Sequence, residues 1–151
     1  MELVNDLFSD ATASPLLSLV AETDGMIVGH ILFTRATLEP DVEDIRATIL
    51  APLAVSRDVQ AQGIGASLIA EGIKQLAESG VDLVFVLGHP DYYPKHGFQP
   101  AGALGLEASY PIPPEHADAW MVQALREGVI GHVHGRVQCA AALDQPRHWQ
   151  E

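Results

Sequence analysis

A change of hydrophobic period around a short glycine-rich segment constrains the fold of this chain most strongly. Residues Arg46 to Ser56 predict a strand, in which Pro52 is expected to mark a bulge or a break in the ladder. From Ile64 to Glu78 the apolar residues recur at helical spacing, and Gly80 stands where a helix ends. Val81 to Gly88 is then a nearly continuous apolar run, typical of a strand buried on both faces. The order of strand, glycine segment, helix and buried strand indicates an α/β domain.

Further strands are predicted on both sides of this unit. Ser18 to Glu22 and Met26 to Leu38 are apolar runs that flank Thr23-Asp24-Gly25, and the Asp-Gly pair favours the tight turn of a hairpin. Trp120 to Leu125 and Ile130 to Val137 are predicted as late strands. The domain is therefore expected to contain more strands than helices.

Composition and charge narrow the class of protein. The chain has 151 residues, of which 48% are hydrophobic and 19% charged, and this composition excludes global disorder. We expect a single domain over residues 1–151, whose last residues, 144–151, have no pattern and form a loose tail. The formal net charge of −12 disfavours nucleic-acid and membrane binding. It favours a cationic ligand, unless the acidic residues serve solubility alone.

The N-terminal residues and the single cysteine predict the compartment. The first residues carry acids where a signal peptide would carry bases, and no apolar run approaches the ~20 residues of a membrane span. Cys139 is the only cysteine, so no intramolecular disulfide can form and a buried, inert thiol is expected. His132 and His134 alternate at a spacing found in metal sites, but no third ligand lies near them in sequence. We therefore predict a cytoplasmic protein without a metal.

The glycine-rich segment from Gln60 to Ser67 suits phosphate binding. Glycines let backbone N–H groups approach an anion at the positive end of a helix. A Walker-type P-loop is excluded because Ala66 stands where its lysine is required. A dinucleotide-binding fingerprint is disfavoured because Leu68 replaces its third glycine and Asp82 lies at the beginning of the next strand rather than at its end.

Two motifs in this order resemble a third class of protein. Gln60-x-x-Gly63-x-Gly65 after a strand is similar to the Q/R-x-x-G-x-G/A signature of the GCN5-related N-acetyltransferase (GNAT) family. Tyr93 to Phe98 resembles the family's Tyr-x-x-x-Gly-Phe element, and Val86 to Tyr93 resembles the YhbS-like branch in particular. The resemblance covers the chain from about Ser18 to Leu125. It implies a mixed, mostly antiparallel sheet that is splayed at the acyl-CoA site and flanked by helices.

The resemblance also implies where acetyl-CoA binds. The pantetheine arm would lie between the splayed strands and pair with Leu53, Ala54 and Val55, just after the Pro52 break, where a bulge releases backbone groups. The pyrophosphate would be held by backbone amides of the glycine-rich segment, namely those of Gln60, Ala61, Gln62, Gly63, Ile64, Gly65 and Ala66. No metal is implied.

The implied reaction is direct attack of a primary amine on the acetyl thioester. Backbone N–H groups near Ala54 and Val55 would stabilise the oxyanion. Tyr93 matches the family's position for the general acid that protonates the leaving thiolate, whereas Tyr92 is expected to pack. The alternative for Tyr93 is a structural role in closing the turn before Gly97.

The sequence leaves the general base open. His89 ends the buried strand and is the candidate, and its alternative role is to cap the turn before Pro90. Glu22 and His30 on the early hairpin are alternatives, as is a chain of water molecules. No base is therefore assigned beyond the candidate His89.

The leading functional prediction is an acetyl-CoA-dependent N-acetyltransferase that acts on a small molecule or a peptide terminus, with a cationic amine favoured by the charge. Residues 1–17 are fewer than relatives usually carry before this point. We therefore expect an acceptor pocket that is open or is completed by a second subunit of a homodimer. The alternative is a non-catalytic acyl-CoA-binding or sensor domain. A nucleotide-binding oxidoreductase domain is disfavoured by Leu68 and Asp82.

Overall fold

An antiparallel hairpin opens the described part of the chain, as the Asp-Gly turn predicts. The computed structural model describes residues 17–39, 45–56, 63–108, 112, 114–126, 128–129 and 135–139. Within them, β1 (Leu17–Thr23) pairs with β2 (Met26–Glu39). Asp24 and Gly25 have positive φ values of 53° and 79°, as the type I′ turn of a two-residue hairpin requires. The expected tail at 144–151 lies outside the described residues.

The third strand, β3 (Ala47–Val55), carries the bulge that Pro52 predicts. It runs antiparallel to β2, and its register shifts so that Ala51 and Pro52 together oppose Leu32. An extra residue of this kind bends a strand and increases its twist. Proline has no backbone N–H to donate to a ladder, so a bulge at Pro52 costs the strand fewer hydrogen bonds than a bulge at another residue would.

The helix α1 (Ile64–Glu78) has the boundaries that the hydrophobic period predicts. Its buried residues are Leu68, Ile69, Gly72 and Leu76. Gly72 lets the helix lie close to the sheet, because a Cβ there would overlap the ring of Phe33. Gly80, just beyond the helix, has a φ of 91°, a conformation that favours glycine. Among the described residues, α1 is the one α-helix that flanks the sheet, and none of the described helices could span a membrane.

The remaining strands are β4 (Leu83–Leu87), β5 (Gln99–Pro100), β6 (Leu106–Glu107), β7 (Trp120–Ala124) and β8 (Gly135–Gln138). The sheet has the order β5-β7-β4-β3-β2-β8-β6, with β1 paired to β2. Among the described strands, the β3–β4 and β6–β8 pairs alone are parallel, which confirms a mixed, mostly antiparallel sheet. β7 confirms the first predicted late strand, and β8 matches the end of the second, whose residues 130–134 lie outside the described part. In the part of the chain that the structure describes, short 3-10 helices lie between these strands at Tyr93–His96, Gly102–Leu104 and Pro114–Ala119.

Two apolar cores lie on the two faces of the sheet. The core beneath α1 includes Phe33 and Ile69, both of them almost fully buried. On the other face, Phe85 stacks on Trp120 with ring centroids 5.2 Å apart, and the indole N–H donates to the Leu106 carbonyl at 2.9 Å. The central strands are thus covered on both sides, as the apolar run of β4 predicts.

A buried carboxylate fixes the N-terminal end of β4. Asp82 is 4% exposed, and its carboxylate accepts the backbone N–H of Arg46 at 2.9 Å. The second oxygen lies 3.1 Å from Nε of Arg126. Asp82 therefore holds β3, β4 and the segment after β7 together, at the end of β4 opposite to the site described below.

Candidate active site

A gap opens between β3 and β4 beyond the end of their parallel pairing. The last pair of this ladder is Leu50 with Val86. Beyond it, residues 53–55 of β3 stay paired with β2, whereas Gly88, just after β4, donates its N–H to the Ala119 carbonyl at 2.9 Å. The two strands are thus held by neighbours on opposite sides. This is the splay that the family resemblance implies.

The register of β3 decides which of its backbone groups face the gap. The Ser56 N–H donates to the Val28 carbonyl of β2 at 2.7 Å. Hydrogen-bonded pairs alternate along antiparallel strands, so Ala54 also directs its N–H and C=O toward β2, and Leu53 and Val55 direct theirs toward the gap. Of the two amides expected as oxyanion donors, only that of Val55 therefore lies on the gap side.

The first turn of α1 lies beside this gap. Gly63 caps the helix with a φ of 82°, and the N–H of Ser67 donates to the Gly63 carbonyl at 2.9 Å. The amides between these two residues point out of the helix end, where the helix dipole is positive. A Cβ on Gly65 would lie 3.8 Å from Val55 Cγ2 and 3.9 Å from Leu53 Cδ2. The helix start is therefore packed against the gap-side residues of β3.

Some predicted site residues lie outside the described ranges. Gln60, Ala61 and Gln62, which were expected to hold pyrophosphate with their amides, are among them, as are His132 and His134. Within the described ranges, no three His, Cys, Asp or Glu side chains are grouped so that they could hold a metal ion. The described part of the predicted phosphate site is thus Gly63 to Ala66, at the helix start.

Tyr93 is buried beside the end of β4. Its ring covers Gly88, where a Cβ would overlap it, and meets Phe98 edge-on with centroids 5.6 Å apart. Only 8% of the residue is exposed. Burial, and to a smaller extent the neighbouring Tyr92, raises the pKa of Tyr93 to about 12, so the phenol stays protonated at neutral pH. The ring contacts suit the structural alternative, and the retained proton suits a donor.

The hydroxyl of Tyr92 reaches the start of α1, which the sequence reasoning missed. It lies 2.7 Å from the position that a Cβ would take on Gly65. The ring packs at the edge of the core beneath α1 and meets the ring of His96 at a centroid distance of 4.7 Å. The expectation that Tyr92 only packs is therefore incomplete. In the sequence, Gly65 is the feature that could have predicted this contact, because a helical position without a side chain leaves room for a neighbouring group.

The three candidate bases lie in different surroundings. His89 is exposed, and its backbone carbonyl accepts the N–H groups of Tyr92 at 3.1 Å and Tyr93 at 3.3 Å. Glu22 is exposed near the tip of the hairpin. His30 is half-buried on β2, and its Nε2 lies 2.8 Å from Oγ of Ser18.

Comparison with known proteins adds independent evidence on the family. Residues 15–100 match the model of the acetyltransferase (GNAT) domain. The N-acetyltransferase YjhQ of Escherichia coli K12 is 48% identical over 140 residues, which are 92% of this chain and 77% of that protein. The sequence match therefore extends well beyond the two motifs described above.

Two solved structures share this fold. The GNAT family N-acetyltransferase YhbS from Escherichia coli, in complex with CoA, matches with a TM-score of 0.84 and 29% identity over 95% of this chain and 77% of that one. A GNAT family acetyltransferase from Brucella melitensis, in complex with acetyl-CoA, matches with a TM-score of 0.72 and 30% identity over the same shares, 95% and 77%. From its sequence, its splayed sheet and these relatives, the chain belongs to the GNAT family of N-acetyltransferases.

Proposed function

We propose that the protein transfers the acetyl group of acetyl-CoA to a primary amine of a small molecule or a peptide terminus. The observation that carries this proposal is the divergence of β3 from β4 beside the first turn of α1. The structures of the two relatives, which were solved with CoA and with acetyl-CoA, support the choice of co-substrate.

The described residues fit two parts of acetyl-CoA. The amides of Ile64, Gly65 and Ala66 at the positive end of α1 suit the pyrophosphate. The gap-side backbone groups of Leu53 suit the amides of the pantetheine arm, which would extend the sheet as a short strand does. Gly65 keeps the space between these two regions free of a side chain.

Acetyl-CoA supplies a thioester, whose carbonyl carbon is the atom that the amine attacks. The C–N bond forms and the C–S bond breaks, the nitrogen loses one proton, and the sulfur leaves as a thiolate that takes up a proton. Gap-side amides of β3 are suited to donate to the carbonyl oxygen as it gains charge, a contribution worth about 3–4 kcal/mol per donor in other enzymes.

Tyr93 is the proposed general acid for the thiolate. With a pKa of about 12 it holds its proton throughout the neutral range. A free thiol has a pKa of about 8.5, so complete transfer from this phenol to the thiolate is uphill. Tyr93 therefore acts chiefly by donating a hydrogen bond to the sulfur as the C–S bond breaks.

The proposed acceptor is cationic. The net charge of −12 gives the molecule a field that concentrates cations around it. Polyamines and peptides with basic residues carry both the amine and the positive charge that this field attracts. An acidic or phosphorylated acceptor would be repelled.

We also propose that two copies of the chain pair along β1. Among the described strands, β1 pairs with β2 alone, and a strand edge of this kind is usually covered. Val20, Met26 and Ile27, on and beside this strand, are 54%, 69% and 68% exposed. A symmetric dimer would cover both features. Light scattering at micromolar concentration should give twice the mass of one chain, and the mass of one chain would contradict the dimer.

Release of free thiol from acetyl-CoA tests the proposed function. The amines to be offered are spermidine, a basic peptide with a free α-amino group, and aniline, which is uncharged at neutral pH. Turnover with at least one of them, and an acetylated product in the mass spectrum, is the expected result. Binding of acetyl-CoA without turnover would support the acyl-CoA-binding alternative, and the absence of both would contradict the proposal.

A further inference from the structure

Beside the gap, α1 covers only one of the two faces of the sheet. Gly29 on β2 faces α1, because a Cβ there would lie 3.1 Å from both Ile64 Cγ2 and Leu68 Cδ1. Ile31, two residues further along, belongs to the core beneath α1. Side chains alternate along a strand, so His30 points to the face that α1 does not cover. The first turn of α1 lies on the other face, so an amine that approached a carbonyl in the gap would do so from the face of His30.

His30 stands next to the strand segment that lines the gap. Its partner across the β2–β3 ladder is Ala54, which lies between the gap-side residues Leu53 and Val55. Directly opposed residues have Cβ atoms about 4.5–5.5 Å apart. The imidazole therefore projects beside the part of β3 along which the acyl group is proposed to lie.

Ser18 fixes the orientation of this imidazole. Its Oγ is 2.8 Å from Nε2 of His30, across the β1–β2 hairpin. When Nε2 carries the hydrogen, the serine oxygen accepts it and the lone pair of the neutral ring lies on Nδ1. The same contact persists in the imidazolium, in which both ring nitrogens donate. The pair is thus compatible with both protonation states of a proton acceptor.

The surroundings of His30 favour its neutral form. Burial lowers the pKa of His30 below its ordinary value of 6.5. Among the described residues, the neighbours that the strand ladders place on its face of the sheet include Ser18 and Val20 on β1, Leu32 on β2 and Ala54 on β3. None of these side chains titrates, and the only carboxylate of β1 is that of Glu22, which is exposed. A neutral imidazole at neutral pH is free to accept a proton.

We propose that His30, oriented by Ser18, is the general base that takes the proton from the acceptor amine. As the C–N bond forms, the nitrogen becomes acidic and one of its protons passes to Nδ1. The imidazolium then releases this proton to solvent, while the thiolate, which accepts a hydrogen bond from Tyr93, takes up its own proton from water. The inference rests on the proposed acetyl transfer. It assigns this role to His30 in place of the candidate His89, which is exposed.

The test measures kcat, KM and the pH profile of His30→Gln with acetyl-CoA and the amine of the above panel that wild type turns over fastest. Glutamine can still bond to Ser18 but accepts no proton at neutral pH, so kcat should fall by about 10²–10⁴-fold while the Kd for acetyl-CoA is unchanged. Wild-type kcat/KM should rise with pH as His30 loses its proton, at a pH below its ordinary pKa. This rise on the acidic side of the pH profile, the acid limb, should vanish in the variant. A rise that remains at alkaline pH belongs to the amine.

Two variants of Ser18 test its role in orienting the imidazole separately from the role of His30 as the base. Ser18→Ala should lower kcat by a smaller factor and displace the acid limb, and Ser18→Thr should restore both. His116→Gln, at an exposed histidine in the Pro114–Ala119 helix, is the matched control and should behave as wild type. If His30→Gln does not fold, His30→Asn is measured with the same expectations.

The outcomes distinguish this inference from the proposed function. Wild-type kcat and an unchanged acid limb in His30→Gln would overturn the role of His30 and leave acetyl transfer standing. Loss of turnover in His89→Gln, with His30→Gln active, would also overturn it and return the role to His89. Wild type without turnover on any amine of the panel would overturn acetyl transfer, and the inference with it.

Discussion

At the scale of single residues, two adjacent tyrosines that follow β4 reach different parts of the candidate site. Tyr93 packs over Gly88 at the end of β4, and Tyr92 extends its hydroxyl toward Gly65 at the start of α1. Their rings meet edge-on with centroids 5.1 Å apart. Although the two residues are adjacent in sequence, the phenol of Tyr93 therefore lies in the core and that of Tyr92 at the start of α1.

Tyr93→Phe should lower turnover and leave acetyl-CoA binding unchanged. The ring that fills the space over Gly88 is retained. The hydroxyl that is proposed to donate to the sulfur is lost. General acids contribute about 10²–10⁴-fold, so kcat should fall by a factor in this range while the Kd from calorimetry stays the same. Tyr92→Phe is the matched comparison. If it loses kcat and Tyr93→Phe does not, the donor is Tyr92.

Tyr93→Phe should also flatten the dependence of stability on alkaline pH. The phenol titrates near 10.0 in the unfolded chain and at about 12 in the folded protein. The unfolded state loses this proton first, so the stability from Tyr93 is complete below pH 10 and is lost as the pH rises toward 12. The loss should approach about 2–3 kcal/mol at most. Parallel curves of urea midpoint against pH for wild type and variant would contradict this.

At the scale of elements, the β3–α1–β4 unit could be predicted from the sequence because its signals are strong and local. The apolar stripe and Gly80 define α1 from Ile64 to Glu78, and Pro52 predicts the bulge that the β2–β3 register shows. The short strands β5 and β6 could not be predicted, since two residues carry no hydrophobic period. They form because β7 and β8 are present to pair with them.

The directions in which individual groups of the site point could not be predicted from the local sequence. Ala54 was expected to share the oxyanion with Val55, but the β2–β3 register turns its amide toward β2. The hydroxyl of Tyr92 and the Ser18–His30 contact depend likewise on residues far apart in sequence. The spacing of motifs in the sequence predicts where a site lies. The register of its strands determines which groups can donate or accept hydrogen bonds there.

Gly65→Val should weaken acetyl-CoA binding while the fold survives. A Cβ at this position comes within 2.7 Å of the Tyr92 hydroxyl. A β-branched side chain would therefore crowd the first turn of α1, whose amides are proposed to hold the pyrophosphate. Gly102→Ala is the control, because a Cβ there meets nothing within 4 Å. The Kd should rise sharply in Gly65→Val alone, with cooperative thermal unfolding retained in both. An unchanged Kd in Gly65→Val would contradict the phosphate site.

At the scale of the whole molecule, the net charge of −12 should make the reaction of a cationic amine sensitive to salt. The Debye length falls from about 30 Å at 0.01 M to about 8 Å at 0.15 M. Over this range kcat/KM for spermidine should fall, whereas kcat/KM for aniline should change little. Equal responses of the two amines would show that the charge does not steer the acceptor.

Hydrogen exchange with and without acetyl-CoA tests most directly the claim that the gap between β3 and β4 is the acetyl-CoA site. Saturating acetyl-CoA should slow exchange of the amides at residues 53–56 and 63–67, which lie on the two sides of the proposed cofactor path, and should leave residues 135–139 of the β8 region unchanged. NAD at the same concentration should protect none of them. Protection by acetyl-CoA that leaves both 53–56 and 63–67 unaffected would contradict the account.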